Sequence, residues 1–295
     1  MRISFLGLGA IGTPMAARVA ARHELTVWNR TGARAAAFAA QHPCRVAATP
    51  RAAAEGAQAV ITCLPTSADV EALLDGGDGL AAGLADGVLF IDCTSGDAAT
   101  SRRLAERLAA RGVTYVDAPV SGGTNGAESG TLAVMVGGDQ AAFERARPIL
   151  ECFGQRIERI GPVGSGDALK AVNNALLAAN ILAVGEGLAA LVKAGVPAAK
   201  ALEIINVSSG RSFVSEVLVP TRVLNGSWPR TFRLALLDKD VRIAVGLLEE
   251  TGVEGPVLQL VSEQFREARA RLGEGADYLE AIRLIERQAG VEIRG

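Results

Sequence analysis

Arg2-Ile3-Ser4-Phe5-Leu6-Gly7-Leu8-Gly9-Ala10-Ile11-Gly12 is the stretch whose reading decides the fold. Ile3 to Leu6 is a short apolar run that reads as a strand, and Ile11 to Ala21 follows with helical spacing. The glycines between them have the G-x-G-x-x-G spacing of a dinucleotide-binding turn. Each answers a different demand. Gly7 permits the tight turn, Gly9 lets a pyrophosphate approach the backbone, and Gly12 lets helix and strand pack closely. The helix N-terminus, with Leu8, Ala10 and Ile11 around it, then offers bare N–H groups to an anion. Alone the pattern would be a plain strand–helix turn; its position between a strand and a helix gives it meaning.

Outward from the loop, Leu25 to Trp28 reads as the next strand and Gly32 to Ala40 as an Ala-rich helix. Further strands are expected at Ala59 to Leu64, Val88 to Cys93, Thr114 to Asp117, Leu132 to Val136 and Arg156 to Ile160. Repeated strand–helix units predict parallel strands with helices on both faces, joined by right-handed crossovers. The expected class is α/β, an N-terminal doubly wound Rossmann domain over residues 1–163. The pattern changes after Gly161-Pro162-Val163-Gly164-Ser165-Gly166. No turn signal follows Asp167 until Gly195, which predicts one helix of roughly 28 residues, about 40 Å long. No comparable strand candidate follows, so residues 164–295 read as an all-helical domain for substrate binding and dimerisation, joined through that helix.

The chain has 295 residues, 30 Lys and Arg against 32 Asp and Glu, and 49% hydrophobic residues, a composition with ample material for a core. A net charge of −2 lacks the basic footprint of a nucleic-acid binder. Cys44, Cys63, Cys93 and Cys152 form no C-x-x-C pair, and no His cluster accompanies them. Neither a disulfide framework nor a metal site is expected, and a cytoplasmic location is. With the first strand read from Arg2, no cleavable leader is expected. Ala175 to Ala194 is apolar, but Asn180, Glu186 and Lys193 interrupt it; a buried helix is expected rather than a membrane span.

The end of the second strand bears on the nucleotide. An acidic residue there would hold the ribose hydroxyls of NAD. This chain has Asn29-Arg30-Thr31 instead, beginning seventeen residues after Gly12. Arg30 can pair with a 2′-phosphate and Thr31 can donate to it, which predicts NADP(H) in preference to NAD(H). Against this, Arg30 alone could be a solvated loop charge stacked on adenine.

Three further segments carry chemistry. Asp117-Ala118-Pro119-Val120-Ser121-Gly122-Gly123 offers a hydroxyl and bare N–H groups after a strand, a nest suited to a carboxylate or, more plainly, a Gly-rich turn. Lys170 lies on the long helix with Asn174 one turn later on the same face. In a cleft such a lysine can act as general acid or base; alone it would more often be a snorkelling surface residue. Lys239-Asp240 by itself reads as charges on a solvated helix face.

Together these segments resemble the β-hydroxyacid dehydrogenase family, typified by 3-hydroxyisobutyrate dehydrogenase, tartronate semialdehyde reductase and the glyoxylate/succinic semialdehyde reductases. The resemblance rests on Phe5 to Ala16, the Asp117 to Gly138 block, Gly164-x-Gly166-x-x-x-Lys170-x-x-Asn173-Asn174 and Lys239-Asp240, in that order along essentially the whole chain. It implies hydride transfer between a nicotinamide and a small β-hydroxy acid or the matching carboxylate-bearing aldehyde. It implies Lys170 as acid or base on the substrate oxygen. It implies Ser121, Gly122, Gly123 and Asn174 around the substrate carboxylate, with Phe232 and Asp240 completing the pocket. Leu64, Pro65, Ser95 and Lys239 would adjoin the cofactor. The family usually has Ser-Thr where this chain has Thr94-Ser95, and a Pro where it has Ala98; Ser95 keeps the hydroxyl, and Ala98 reads as a helix-start detail.

The same resemblance separates the chain from its neighbours. 6-Phosphogluconate dehydrogenases carry a His where Asn173 stands, and imine reductases generally lack the lysine. A non-catalytic nucleotide sensor would be expected to lose Lys170 as well. A homo-oligomer is implied, dimer or tetramer, with no nucleic-acid or membrane partner. The substrate stays open among 3-hydroxyisobutyrate, tartronate semialdehyde, succinic semialdehyde, glyoxylate and serine. Ser209-Gly210-Arg211-Ser212-Phe213 is the expected specificity wall, where Arg211 reads a second anion or is surface charge.

Overall fold

The computed structural model describes residues 1–295. Its strands are β1 (Arg2–Leu6), β2 (Glu24–Trp28), β3 (Arg45–Val46), β4 (Ala59–Thr62), β5 (Leu89–Asp92), β6 (Thr114–Asp117), β7 (Val120–Ser121), β8 (Leu132–Gly137) and β9 (Gly154–Gly161). The α-helices are α1 (Gly12–Ala20), α2 (Gly32–Ala39), α3 (Pro50–Ala54), α4 (Ser67–Leu74), α5 (Leu80–Gly83), α6 (Ala98–Ala109), α7 (Gly123–Ser129), α8 (Gln140–Leu150), α9 (Ser165–Lys193), α10 (Ala198–Ile205), α11 (Leu234–Thr251), α12 (Pro256–Leu272) and α13 (Ala281–Ala289). The chain divides into two compact units, Met1–Lys170 and Ala171–Gly295, so the division falls inside α9.

The first unit is built on one sheet of order β3-β2-β1-β4-β5-β6-β8-β7, with β9 added on β8. From β3 to β6 the strands are parallel. All four residues of β4 and of β5 are buried, as they must be when helices cover both faces. Strand alternation divides the core in two. Ile3, Phe5, Ile61, Ile91 and Val116 meet α1, α2 and α8 on one face. Leu6, Val60, Phe90 and Tyr115 meet α3, α4, α5 and α6 on the other. Each large side chain taken fully out of water contributes about 1.5–3 kcal/mol.

Two departures from the sequence reading lie beyond β6. The sheet is not parallel throughout: β8 runs antiparallel to β6, and β7 antiparallel to β8. Past Ala118-Pro119 the chain runs on in the same register, so that Val120 and Ser121 extend the antiparallel ladder that Asp117 begins on β8. The short strands β3 and β7 carry two residues each, too few for any period to register.

The second unit is helical, and its only ladder contact is an isolated bridge between Arg233 and Asp277. Its core gathers Ala175, Ala178, Ile181 and Leu188 of α9, Leu237, Val241 and Ala244 of α11, and Phe265 of α12. Gly185 admits Ile282 and Ile285 of α13, which would lie 3.2 and 2.9 Å from a β-carbon there. Val214–Val223 is a π-helix containing Pro220, whose missing N–H the wider turn tolerates. α9 is 29 residues long, about 44 Å. The sequence reading expected a buried helix, and the burial is partial. About a third of its most apolar window is buried, and Leu176 is 55% exposed. One stripe faces the core while its remaining apolar residues face outward.

Candidate functional site

One line across the sheet places the sequence candidates. Trp28, Leu6, Thr62, Asp92 and Asp117 are successive partners on β2, β1, β4, β5 and β6. Each ends its strand. The residues that follow them are Asn29-Arg30-Thr31, Gly7 to Gly12, Leu64-Pro65, Thr94-Ser95 and the Ser121-Gly122-Gly123 block. All therefore emerge at the carboxyl edge of the parallel strands, where strand order reverses between β1 and β4, the usual ligand position in such sheets.

The three glycines of the loop meet the demands read from their spacing. Gly7 has φ +107°, and a β-carbon there would lie 2.3 Å from the Cys63 carbonyl oxygen. At Gly12 it would lie 2.0 Å from the Gly7 carbonyl oxygen. At Gly9 it would meet nothing within 4 Å, so this is the point where the backbone is open to an approaching group. No side chain caps α1, and no acidic residue sits in its first turn. The donor set fits the pyrophosphate of a dinucleotide.

Asn29 does something the sequence did not disclose. Its Oδ1 accepts the Leu8 N–H at 2.9 Å and its Nδ2 donates to the Thr31 carbonyl at 3.0 Å. It braces the glycine loop against the end of β2. Arg30 is exposed and lies 3.6 Å from Asp69 at the start of α4, a loose pair of little worth in water. Thr31 precedes α2 without capping it by its side chain.

Thr94 is buried, and its hydroxyl accepts the Leu64 N–H at 3.0 Å, tying the loop after β4 to the loop after β5. Ser95 is half-buried beside it. Ala98 is the first residue of α6, capped by Asp97 through the Thr100 N–H. The departure at Ala98 is thus confined to a helix start, as expected. Ser121 ends β7, and Gly122 and Gly123 adopt φ of +133° and +65° before α7. These glycines are exposed, so their N–H groups lie at the surface of the edge.

Lys170 is buried, 8% exposed, near the start of α9. It is not the snorkelling residue that its type alone would suggest. Its seat explains the Gly164-x-Gly166 spacing. Gly164 has φ +91°, and its N–H donates to Asp117 Oδ1 at 2.7 Å. A β-carbon on Gly166 would lie 2.2 Å from the Met135 carbonyl oxygen of β8. The Asp167 N–H donates to Asp117 Oδ2 at 3.0 Å, so Asp117 caps α9 from the sheet. Asp167 in turn accepts the Gly96 N–H at 3.0 Å and contacts Ser101 Oγ at 2.6 Å. Burial raises the carboxyls of Asp92, Asp117 and Asp167, the last most strongly because Asp117 and Asp92 add to it. Burial, then Asp92, pushes the Cys63 thiol up to about 12. No group of three or more His, Cys, Asp or Glu side chains is placed to hold a metal ion.

In the helical unit, Asn174 Nδ2 donates to Asp240 Oδ2 at 2.6 Å, and Lys239 Nζ lies 3.0 Å from Asp240 Oδ1. Asn173 Nδ2 donates to Asn174 Oδ1 at 3.1 Å. Lys239-Asp240 is therefore not a solvated pair: Asp240 is 2% exposed and fixes the Asn174 amide. Phe232 is partly buried with its ring edge-on to Tyr278 at 5.6 Å. In the Ser209-to-Phe213 segment, Arg211 lies 3.7 Å from Glu216, and Phe213 is 60% exposed.

Two family models match the chain. The NAD binding domain of 6-phosphogluconate dehydrogenase matches residues 2–161. The NAD-binding domain of NADP-dependent 3-hydroxyisobutyrate dehydrogenase matches residues 164–285. The chain is 35% identical to 2-(hydroxymethyl)glutarate dehydrogenase of Eubacterium barkeri over 100% of its length and 98% of that protein. It is 36% identical to 3-hydroxyisobutyrate dehydrogenase of Pseudomonas aeruginosa over 89% of its length and 90% of that protein. The chain belongs to the β-hydroxyacid dehydrogenase family. A solved β-hydroxyacid dehydrogenase, Mycobacterium tuberculosis 3-hydroxyisobutyrate dehydrogenase with L-serine, superposes with TM-score 0.88 at 31% identity, covering 96% of this chain and 98% of that one. As a member of this family the protein is an oxidoreductase acting on hydroxyl groups with a nicotinamide cofactor.

Sequence reasoning missed the buried acids beneath this dehydrogenase's α9. Their signal was present: Asp92 and Asp117 each end an otherwise apolar or aromatic strand. What joins them to Asp167 and Ser101 exists only once the chain is folded.

Proposed function

We propose that the protein is an NADP(H)-dependent dehydrogenase of a small β-hydroxy acid, with Lys170 as the general acid and base. One observation carries the reading. Lys170 is buried on the turn of α9 locked to the carboxyl edge of the sheet, with the braced Asn174 amide one turn further on. When bound, the nicotinamide supplies or receives the hydride. The chain's part is orientation and the proton. As an ammonium, Lys170 gives the substrate oxygen its proton during reduction and stabilises the charge developing there; as an amine it removes the proton during oxidation. Ser121, the N–H groups of Gly122 and Gly123, and Asn174 hold the substrate carboxylate and so decide which carbon reacts. The family resemblance gives Phe232 and Asp240 a part in binding the substrate, and Leu64, Pro65, Ser95 and Lys239 a part in binding the cofactor.

The names of the relatives support the substrate class. 2-(Hydroxymethyl)glutarate, 3-hydroxyisobutyrate and L-serine all carry a hydroxymethyl group on the carbon next to a carboxylate. The reverse reaction, reduction of a carboxylate-bearing aldehyde such as tartronate semialdehyde, uses the same groups, and succinic semialdehyde, whose reduction gives a 4-hydroxy acid, is the alternative substrate one carbon longer. For the cofactor, Arg30 is exposed and only loosely paired, free to exchange Asp69 for a 2′-phosphate. A panel of 3-hydroxy acids with NADP, and of the matching aldehydes with NADPH, tests both parts. The expected result is turnover of hydroxymethyl acids, absent for their methyl esters, with a lower KM for NADP than for NAD. Turnover independent of the carboxylate, or a clear preference for NAD, would sink the corresponding part. The free cysteines Cys44, Cys63, Cys93 and Cys152 support a cytosolic location.

A further inference from the structure

Three buried carboxyl groups converge under the first turn of α9. Asp92 accepts the Thr62 hydroxyl at 2.8 Å, the Thr94 N–H at 3.0 Å and the Tyr115 hydroxyl at 3.2 Å. Asp117 accepts the N–H groups of Gly164 and Asp167. Both have the donors that a buried carboxylate needs. Asp167 differs. One oxygen accepts the Gly96 N–H, and the other has a single partner, Ser101 Oγ, at 2.6 Å. Ser101 Oγ also lies 3.3 Å from Tyr115 Oη.

Counting hydrogens shows that one of the two end acids carries a proton, and the other donors around each say which. A serine and a tyrosine hydroxyl each hold one proton to donate. If Tyr115 donates to Asp92, its contact with Ser101 is made only when Ser101 donates to Tyr115. Ser101 then has no proton left for Asp167, and the 2.6 Å contact requires that Asp167 be the donor. With both Asp92 and Asp167 ionised, one of the three contacts stays unmade; a proton on either acid makes all three, and Asp92, whose Oδ1 accepts two further donors against one for Asp167, is the better-held anion. The groups facing Asp167 agree. Asp92 ends β5 and Cys93 follows it, Asp117 and Tyr115 come from β6, and Lys170 stands three residues on along α9. Asp117, which accepts two N–H groups at the helix N-terminus, is the better placed to carry the negative charge there, and a second beside it would be opposed.

We infer that Asp167 is a protonated carboxylic acid at neutral pH, the head of a donor chain Asp167 to Ser101 to Tyr115 to Asp92, and that this neutral lock positions Lys170. The inference rests on the reading of Lys170 as the proton donor. By holding the Gly96 N–H, Asp167 also ties the loop that carries Ser95 to α9. As a neutral group it adds no negative charge one turn before Lys170.

Asp167→Asn and Asp167→Ala separate the roles. The amide reproduces the polarity of a protonated acid, accepting from Gly96 and donating to Ser101. Asp167→Ala should lower kcat about tenfold or more, and Asp167→Asn should rescue it without moving the apparent pKa of kcat. Infrared difference spectra of wild type against Asp167→Asn should show loss of one protonated-carboxyl carbonyl band at neutral pH. Absence of that band, or a fall of the kinetic pKa by about one unit in Asp167→Asn, would mean that Asp167 is ionised. Unchanged kcat in Asp167→Ala would end the positioning role. The infrared band reports on Asp167 whether or not Lys170 is the donor, so failure of that reading would be told apart.

Discussion

Gly166 has its α-carbon against the backbone of β8, and its missing β-carbon is what allows α9 to start where it does. An alanine there would meet the Met135 carbonyl oxygen at 2.2 Å and Asp117 Oδ2 at 2.9 Å. Backbone cannot yield as a flexible side chain can. Gly166→Ala should therefore destabilise the protein by about 1–3 kcal/mol, read as a fall in Tm, and reduce activity through the displaced Lys170. An unchanged Tm would mean that the helix start has slack. At this scale the sequence was informative where one residue answers one local constraint. Gly7, Gly9 and Gly12 behave as their spacing implied. Asn29 was legible only as a residue near the nucleotide; its brace on Leu8 depends on β1 and β2 lying side by side.

At the scale of elements, α9 concentrates what the sequence concealed. Its length and start were readable from the absence of turn signals. Its anchorage was not, because Asp167 meets Ser101 and Gly96 across 66 and 71 residues of chain. The antiparallel β8 was equally hidden, since β7, which accompanies the reversal, has two residues and no period. The anchorage has a consequence for stability. Asp167 has its carboxyl raised well above the ordinary value of about 3.9 by burial, then by Asp117 and Asp92. The folded state therefore binds more protons than the unfolded state over that interval. The favourable contribution is fully present below the unfolded value and is lost as pH rises through the folded one. Asp167→Asn removes the titration. Its Tm relative to wild type should climb as pH is raised from 4 towards alkaline values, followed by calorimetry. A difference that is flat with pH would contradict the raised carboxyl.

For the whole molecule, the chain divides into a unit built on the sheet, Met1–Lys170, and a helical unit, Ala171–Gly295. The outward apolar residues of α9, Leu176 among them, support a homo-oligomer, and sedimentation should give a dimer or tetramer. A monomer at micromolar concentration would contradict that reading. The central claim is that a lysine on α9 moves the proton while the sheet holds the cofactor. Lys170→Ala tests it most directly, with turnover of a hydroxymethyl acid and NADPH fluorescence titration measured on the same preparation. The account predicts that activity falls below about a thousandth of wild type while the NADPH dissociation constant stays within about threefold. Retention of more than a few per cent of wild-type activity would contradict it.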